Sequence, residues 1–536
     1  MRRHRPFDRL DLLLSTILSL ISLALYVRTL VPWLLPGDSG EFQVLLHQVG
    51  IAHTTGYPVY MLLGKLFITL AAVGDVAYRA NLFSAFTAGL TVALVYAAGR
   101  LAADSRWGGA FAALTLAVSF TFWSQALIAE VYAPGALFLA AVLVALLAWE
   151  RTGRAAWLFV AGLCGGLGLG VHASVGVFAP AAVALLLSHP GRWRAWWRPA
   201  LIGALAGLAL YGLAFLIVDL HAPPANIFNA AYSPARSSWG LSEADLQNPL
   251  ARILFVGGGR QWRTALYPDP AGMLKKVGDY VAKLPREFSA VTLACAVIGF
   301  VALSRRMWRV ALLLGVGLIV QWLFYFNYHV GDIYVFYIPG YLLLAVLAGA
   351  GVAALERLLS AWGGPALGAA SEMQSGDTSP QSKKPSADRR LALGEAAEMQ
   401  SGDVSPQSKK PPADWGLALG TARSLLLVVL MSVALYPVLA PHWPAVIKGE
   451  APFLRAREYP ANPGTAYLRV EMAGVVKELE RDAIVFVDWG RLYPLYYAAQ
   501  IDADRFDLQF IEARPRNDTG RLADSLVEFV AAQVGR

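Results

Sequence analysis

Apolar residues recur along most of the chain in blocks of about 16–24, each closed by a short polar or basic turn, and this is the length at which a helix crosses a hydrocarbon layer. Eleven such blocks are legible: Leu12–Val31, Asn81–Ala98, Trp107–Trp123, Val131–Trp149, Ala156–Val171, Val175–Leu187, Ala200–Leu220, Ala290–Leu303, Val310–Phe326, Tyr334–Leu355 and Ser424–Leu439. A twelfth run, Val59–Val73, either crosses or lies along the membrane surface. If it crosses, the basic turns Arg100–Arg106 and Arg151–Arg154 fall outside. If it lies flat, both join Arg192–Arg198 inside, as the positive-inside rule favours. The pattern therefore predicts an α-helical polytopic membrane protein of about eleven spans, its N-terminus cytoplasmic and its first span uncleaved.

The pattern changes twice. Residues 359–421 are rich in Ser, Pro, Lys and Gly, and Glu372-Met373-Gln374-Ser375-Gly376-Asp377 recurs 26 residues later as Glu398–Asp403. Neither copy has an apolar face to stack, so a duplicated, disordered cytoplasmic linker is expected rather than a solenoid. After the last span (422–440), residues 441–536 read as a small extracytoplasmic α/β domain. Its expected elements are a helix over Val470–Arg481, a strand over Ala483–Val487 ended by Asp488-Trp489-Gly490, a helix over Leu492–Ala499 and a strand over Phe506–Ile511.

Composition agrees: 57% of the 536 residues are hydrophobic and only 15% charged, well below a soluble protein. The net charge of +8 does not indicate nucleic acid, because the basic residues cluster in turns between spans. Cys164 and Cys295 both lie in apolar runs and read as packing residues. No Walker, dinucleotide or zinc spacing appears. The glycines of Gly162–Gly170 lie within a span and suit close helix packing.

Candidate chemistry concentrates just after the first span, in Gly37-Asp38-Ser39-Gly40-Glu41-Phe42 and His53-Thr54-Thr55-Gly56-Tyr57-Pro58. Asp38 and Glu41, three apart, share a helix face and suit a general base and its partner. The structural alternative is a helix cap, with Glu41 closing a capping box. The two carboxylates could also help hold a divalent metal, though hard cations take more oxygens than these. His53 and Tyr57 are binding candidates, or simply hydrogen-bonded loop residues. Glu130, in Trp123–Tyr132, is costly in so apolar a run unless paired or hydrated. His172, Arg260 (after Gly257-Gly258-Gly259) and Asp332 lie at other span ends or in the outer loop 221–289. All these residues fall on one predicted side of the membrane, which points to a single polar chamber in the 1–358 module, whose first outer loop is 32–78.

These motifs, in this order, resemble a family of multi-span proteins that includes a vertebrate protein O-mannosyltransferase and belongs with the GT-C membrane glycosyltransferases. The resemblance also takes in Phe122–Ala126, Ala129–Tyr132, Gly166–His172 and Asp332–Pro339, and covers about residues 10–350. It implies a polyprenyl-phosphate sugar as donor, such as the mannose derivative, and a protein or glycan hydroxyl as acceptor. It further implies transfer with inversion, Asp38 as catalytic base, and surface-lying helices in the first outer loop. Arg260 and His172 are then candidates for the donor phosphate, Glu41 and His53 for orienting acceptor or base, and Glu130 for shaping the pocket. Loop 221–289 and the C-terminal domain would roof the acceptor side. Family members often carry His-Pro-Pro-Gly where this chain has His53-Thr54-Thr55-Gly56. A transporter or flippase of lipid-linked sugars is the alternative, and would show inverted repeats with broken central helices. A non-catalytic scaffold would leave the clustered carboxylates without a task.

Overall fold

The computed structural model describes residues 7–191, 193–372, 413–456, 459–513, 526–527 and 529–531. Residues 1–354 and 431–536 form one compact unit and residues 355–430 a second. Of the expected linker 359–421, residues 373–412 lie outside the described residues, whereas 359–372 belong to helix Ile338–Glu372 and 413–421 to helix Ala413–Leu439, so those two ends are helical.

The first unit is a helical bundle. Helix α1 (Arg9–Arg28) packs on α4 (Val76–Ala103), and α4 packs on α5 (Arg106–Ala117) and α7 (Tyr132–Thr152). The base of α1 is fixed electrostatically. Asp8 caps it, and the buried Asp11 carboxylate accepts from Tyr96 Oη (3.0 Å), Arg106 Nε (3.0 Å) and Arg100 Nε (3.3 Å). A buried charge needs this full set of partners.

Among the described residues, seven helices are long and apolar enough to cross a membrane, or eight if the bent pair Pro270–Glu287 and Ala290–Arg306 is one span. Fewer helices meet this length than the eleven apolar blocks, and Pro58–Leu70, Ala155–Leu169 and Ser174–Leu187 are shorter apolar helices. Three of the apolar blocks form short or broken helices. Trp107–Trp123 breaks into α5 and α6 (Phe120–Gln125), with Val118 and Ser119 between them. Ala155–Leu169 (α8) and Ser174–Leu187 fall short of a crossing. Their glycines and prolines explain the breaks: they end helices or admit close neighbours. The Gly-rich run of α8 packs closely, as its composition suggests. A Cβ on Gly162 would overlap the Ala200 carbonyl, and one on Gly203 the Phe159 carbonyl, so α8 and Trp193–His221 touch backbone to backbone.

Between α1 and α4 lie two short helices, α2 (Gly37–Gln48) and α3 (Pro58–Leu70). At 13 residues, α3 is about 20 Å long and too short to cross. Its first N–H groups are not wasted: Val59 and Tyr60 donate to the Gly170 carbonyl at 3.0 and 3.4 Å. That contact brings the end of α8 to the first loop.

The C-terminal part forms helix Leu468–Glu478, strand β1 (Ile484–Val487), helix Trp489–Tyr496 and strand β2 (Gln509–Glu512). The two strands pair in parallel, Ile484 opposite Gln509 and Val487 opposite Glu512. Helix Trp489–Tyr496 packs on α2, and Tyr493, Tyr496 and Tyr497 are buried in the same apolar core as Phe42, Leu45 and Tyr60. This placement decides what the site contains.

Candidate functional site

Helix α2 starts at Gly37, with Pro36 at the cap position and no side-chain cap. Asp38 and Glu41 therefore sit inside the helix, and the capping-box reading gives way: their side chains bond elsewhere. Asp38 lies in the first turn, where the helix dipole favours a negative charge. The start of α2 is held by a buried amide clasp. Gln43 Oε1 accepts from Leu35 N (2.9 Å) and its Nε2 donates to Asn81 Oδ1 (3.0 Å). Asn81 donates to the Val31 carbonyl (2.7 Å) and accepts from Ala129 N (2.8 Å). One pair of amides thus fixes the acidic helix, α4 and the Glu130 loop together.

Glu41 is fully buried and its carboxylate is saturated. Oε1 accepts from the His53 backbone N–H (2.9 Å) and from Tyr493 Oη (3.0 Å), while Oε2 pairs with His53 Nδ1. His53 Nε2 lies 3.6 Å from Asp38 Oδ2, beyond a hydrogen bond but within ion-pair range. Burial alone would lower the imidazole's pKa. The charges of Glu41 and then Asp38 outweigh it and push it up to about 10. His53 thus lies between the Glu41 and Asp38 carboxyl groups, which favour its charged form. Asp38 Oδ1 accepts a 2.6 Å hydrogen bond from Trp489 Nε1, leaving Oδ2 the open oxygen.

Glu130 accepts from Ser39 Oγ at 2.8 Å, and its backbone is tied to Ser84. Burial, then the nearby Asp38 charge, raises its pKa well above its ordinary value, which favours the protonated form. Burial also raises Asp332, whose Oδ2 accepts from Tyr132 Oη at 3.0 Å. His172 is pulled the other way, down to about 4, by burial and then by the His53 charge. Its Nδ1 meets Ser174 Oγ at 2.7 Å and the Ser174 N–H at 3.3 Å. Tyr57 stacks on His172, rings 6° from parallel.

Three cavities meet here. The first, about 450 Å³, is lined by Asp38, His53, Tyr57, Tyr132, His172, Asp332 and Trp489, among others. The second, about 380 Å³, lies on the other side of Asp38, between Ser39, Gln125, Glu130, Tyr334 and Tyr459. Asp38, Tyr132 and Asp332 border both. The third, about 500 Å³, is mostly apolar, lined by Val177, Pro180, Val320, Phe324 and Tyr325, and adjoins the first at Thr54, Thr55, His172 and Tyr328.

Seven of the eight residues singled out from the sequence gather here: Asp38, Glu41, His53, Tyr57, Glu130, His172 and Asp332. Arg260 does not. It is exposed, its guanidinium close to Gly240 and its charge acting on Asp245, and it lines none of these cavities. The sequence reading missed Trp489 and Tyr493. Their one signal was the aromatic-rich stretch after β1, which looked like the core of a separate domain. Among the described residues, no group of three or more His, Cys, Asp or Glu is arranged to hold a metal ion.

Fold and site together define a polytopic helical membrane protein whose chamber is built on carboxylates and histidines. Residues 38–196 match the family model described as the N-terminal domain of Protein O-mannosyl-transferase TMEM260. That match begins at Asp38 and includes Glu41, His53, Tyr57, Glu130 and His172. Protein O-mannosyl-transferase TMEM260 of Mus musculus is 34% identical over 128 residues, 24% of this chain and 18% of the mouse protein. The protein of that name from Dictyostelium discoideum is 24% identical over 296 residues, 52% of this chain and 35% of its own length. The matches thus span about a third or less of these relatives. Among solved structures, ArnT from Cupriavidus metallidurans bound to undecaprenyl phosphate is similar over 94% of this chain and 89% of its own, at 13% identity and TM-score 0.49. The S. cerevisiae protein O-mannosyltransferase Pmt1–Pmt2 complex bound to the sugar donor covers 44% of this chain and 37% of its own, at 17% identity and TM-score 0.36. These two likenesses carry no argument about mechanism.

Proposed function

We propose that this protein is a membrane glycosyltransferase. It moves a hexose, mannose foremost, from a polyprenyl-phosphate donor to an acceptor hydroxyl on the extracytoplasmic side, and Asp38 is the general base. The observation that carries this reading is Asp38 on the shared wall of two cavities, one oxygen fixed by Trp489 and the other open. A base must touch the acceptor while a donor lies within reach, and a shared wall meets both needs.

The acceptor hydroxyl enters the cavity lined by Glu130, Tyr334 and Tyr459. Asp38 Oδ2 takes its proton as the oxygen attacks the anomeric carbon. The bond from that carbon to the phosphate oxygen breaks, and the polyprenyl phosphate leaves with the electron pair. Attack from the face opposite the leaving group inverts the anomeric centre. The His53 cation, held by Glu41, orients Asp38. Neutral Glu130 donates a hydrogen bond to the acceptor side. The apolar third cavity takes the first isoprenoid units of the donor.

The test is transfer by purified protein of label from a radiolabelled polyprenyl-phosphate sugar to a hydroxyl-bearing peptide or glycan. Asp38→Asn is expected to lose about 10²–10⁴-fold in kcat. Full transfer by Asp38→Asn removes the base assignment. Labelled lipid crossing vesicle membranes without any transfer favours the transporter reading instead.

A further inference from the structure

The neck between the polar cavity and the apolar one is formed by a turn, and the turn carries two hydroxyls with nothing to bond. His53 O accepts from Gly56 N at 2.7 Å, which puts Thr54 and Thr55 at the two central positions. Gly56 closes the turn at φ +79°, a conformation that suits glycine. Thr54 is 8% exposed, and the Oγ1 atoms of both threonines are buried without a hydrogen-bond partner. An unpaired buried hydroxyl is costly, and two on a wall shared by two cavities gain a partner when they turn toward a ligand acceptor. Both threonines border the two cavities at once, together with His172 and Tyr328. The His172 ring and the Tyr328 phenol are further hydrogen-bonding groups on that shared wall. Among the described residues lining either cavity there is no Lys or Arg. The nearest cations are His53, adjacent in the chain, and Lys276, whose Nζ donates to the Tyr328 carbonyl at 2.8 Å.

We infer that Thr54 and Thr55 form the subsite for the phosphate of an amphiphilic polyprenyl monophosphate, whose chain occupies the apolar cavity and whose sugar reaches Asp38. This rests on the donor class proposed above. It also replaces Arg260 as the phosphate contact: neutral O–H donors hold the anion at the neck. Neutral donors suit this place, since a mobile Lys or Arg beside Asp38, Asp332 and Glu41 would pair with those carboxylates instead.

The experiment is direct binding by the full-length protein in detergent, with no sugar and no transfer. The probes are undecaprenyl phosphate, the parent polyprenol and inorganic phosphate. Wild type is expected to bind the lipid phosphate more tightly than either of the other two. The shape-matched double variant Thr54→Val/Thr55→Val is expected to weaken lipid-phosphate binding about 10- to 100-fold, to leave polyprenol binding unchanged, and to be restored by Ser at both positions. Because the hydroxyls lack partners, the Val variant is also expected to melt at the same temperature as the unliganded wild type or higher. Lipid-phosphate binding by the Val variant equal to wild type overturns the subsite. So does a wild type that binds polyprenol or inorganic phosphate as tightly as the lipid phosphate. Tight, hydroxyl-dependent lipid-phosphate binding with no transfer from any donor leaves the subsite standing and overturns the transferase reading.

Discussion

Replacing Trp489 by Phe removes one hydrogen bond from Asp38 and little else. Phe keeps a ring against His53, now 5.9 Å away at 87°, and against Tyr493, 5.3 Å away at 83°. The lost bond runs from an indole N–H to a carboxyl oxygen at 2.6 Å. Hydrogen bonds to charged groups are worth about 1.5–3 kcal/mol. The Asp38 side chain is 41% exposed, so water replaces part of the bond. A residual effect of about 1–2 kcal/mol corresponds to about 5- to 30-fold. The indole orients Asp38 without touching the reacting atoms, so the loss belongs in kcat, with the donor KM within about twofold. Trp489→His, which retains a ring N–H, is expected to recover part of it. Arg491→Gln, two positions on and facing Glu471, is the control that should behave as wild type. Steady-state transfer with a labelled donor measures all three. A Trp489→Phe kcat within twofold of wild type refutes the positioning argument. A rise in KM alone would mean that the indole is only a cavity wall.

Two further outcomes follow from packing and charge. His53 has its folded pKa raised from 6.5 to about 10, so its pairing stabilises the fold fully below about pH 6.5 and is lost as pH climbs toward 10. Wild-type melting temperature should fall across that window, and the His53→Gln curve should be flatter; parallel curves would contradict the charged pair. At the contact between α8 and Trp193–His221, Gly203→Ala sets a methyl against the Phe159 carbonyl. It should cost about 1–3 kcal/mol of stability, read as a lower detergent-melting temperature, with no specific loss in kcat of the surviving protein.

Much of this was legible in the chain because membrane helices and acidic loops are local patterns. The first span, α4, α7 and the last spans are each a run of apolar residues long enough to stand alone. Asp38, Glu41 and His53 sit within sixteen residues, so their meeting needed only a turn between two short helices. What the sequence hid was non-local. Nothing in Asp488-Trp489-Gly490 announces a partner 451 residues away, because an aromatic after a strand is usually core. Apolar length was a poor guide to unbroken helices: Val118-Ser119 breaks one block, and Gly- and Pro-rich blocks made shorter helices. Arg260 drew notice through its glycines and charge, yet charge in an outer loop is as easily turned to solvent as to a ligand.

The bond between Trp489 and Asp38 has a consequence for biosynthesis. The indole lies 451 residues after the carboxylate it holds, so it leaves the ribosome long after it. Until then the nascent chain carries its acidic helix without the ring that steers Asp38 or the tyrosine that bonds Glu41. The chamber is completed only when the C-terminal segment has been made and docked, so a chain stalled before residue 489 can be inserted in the membrane while its site is still unfinished.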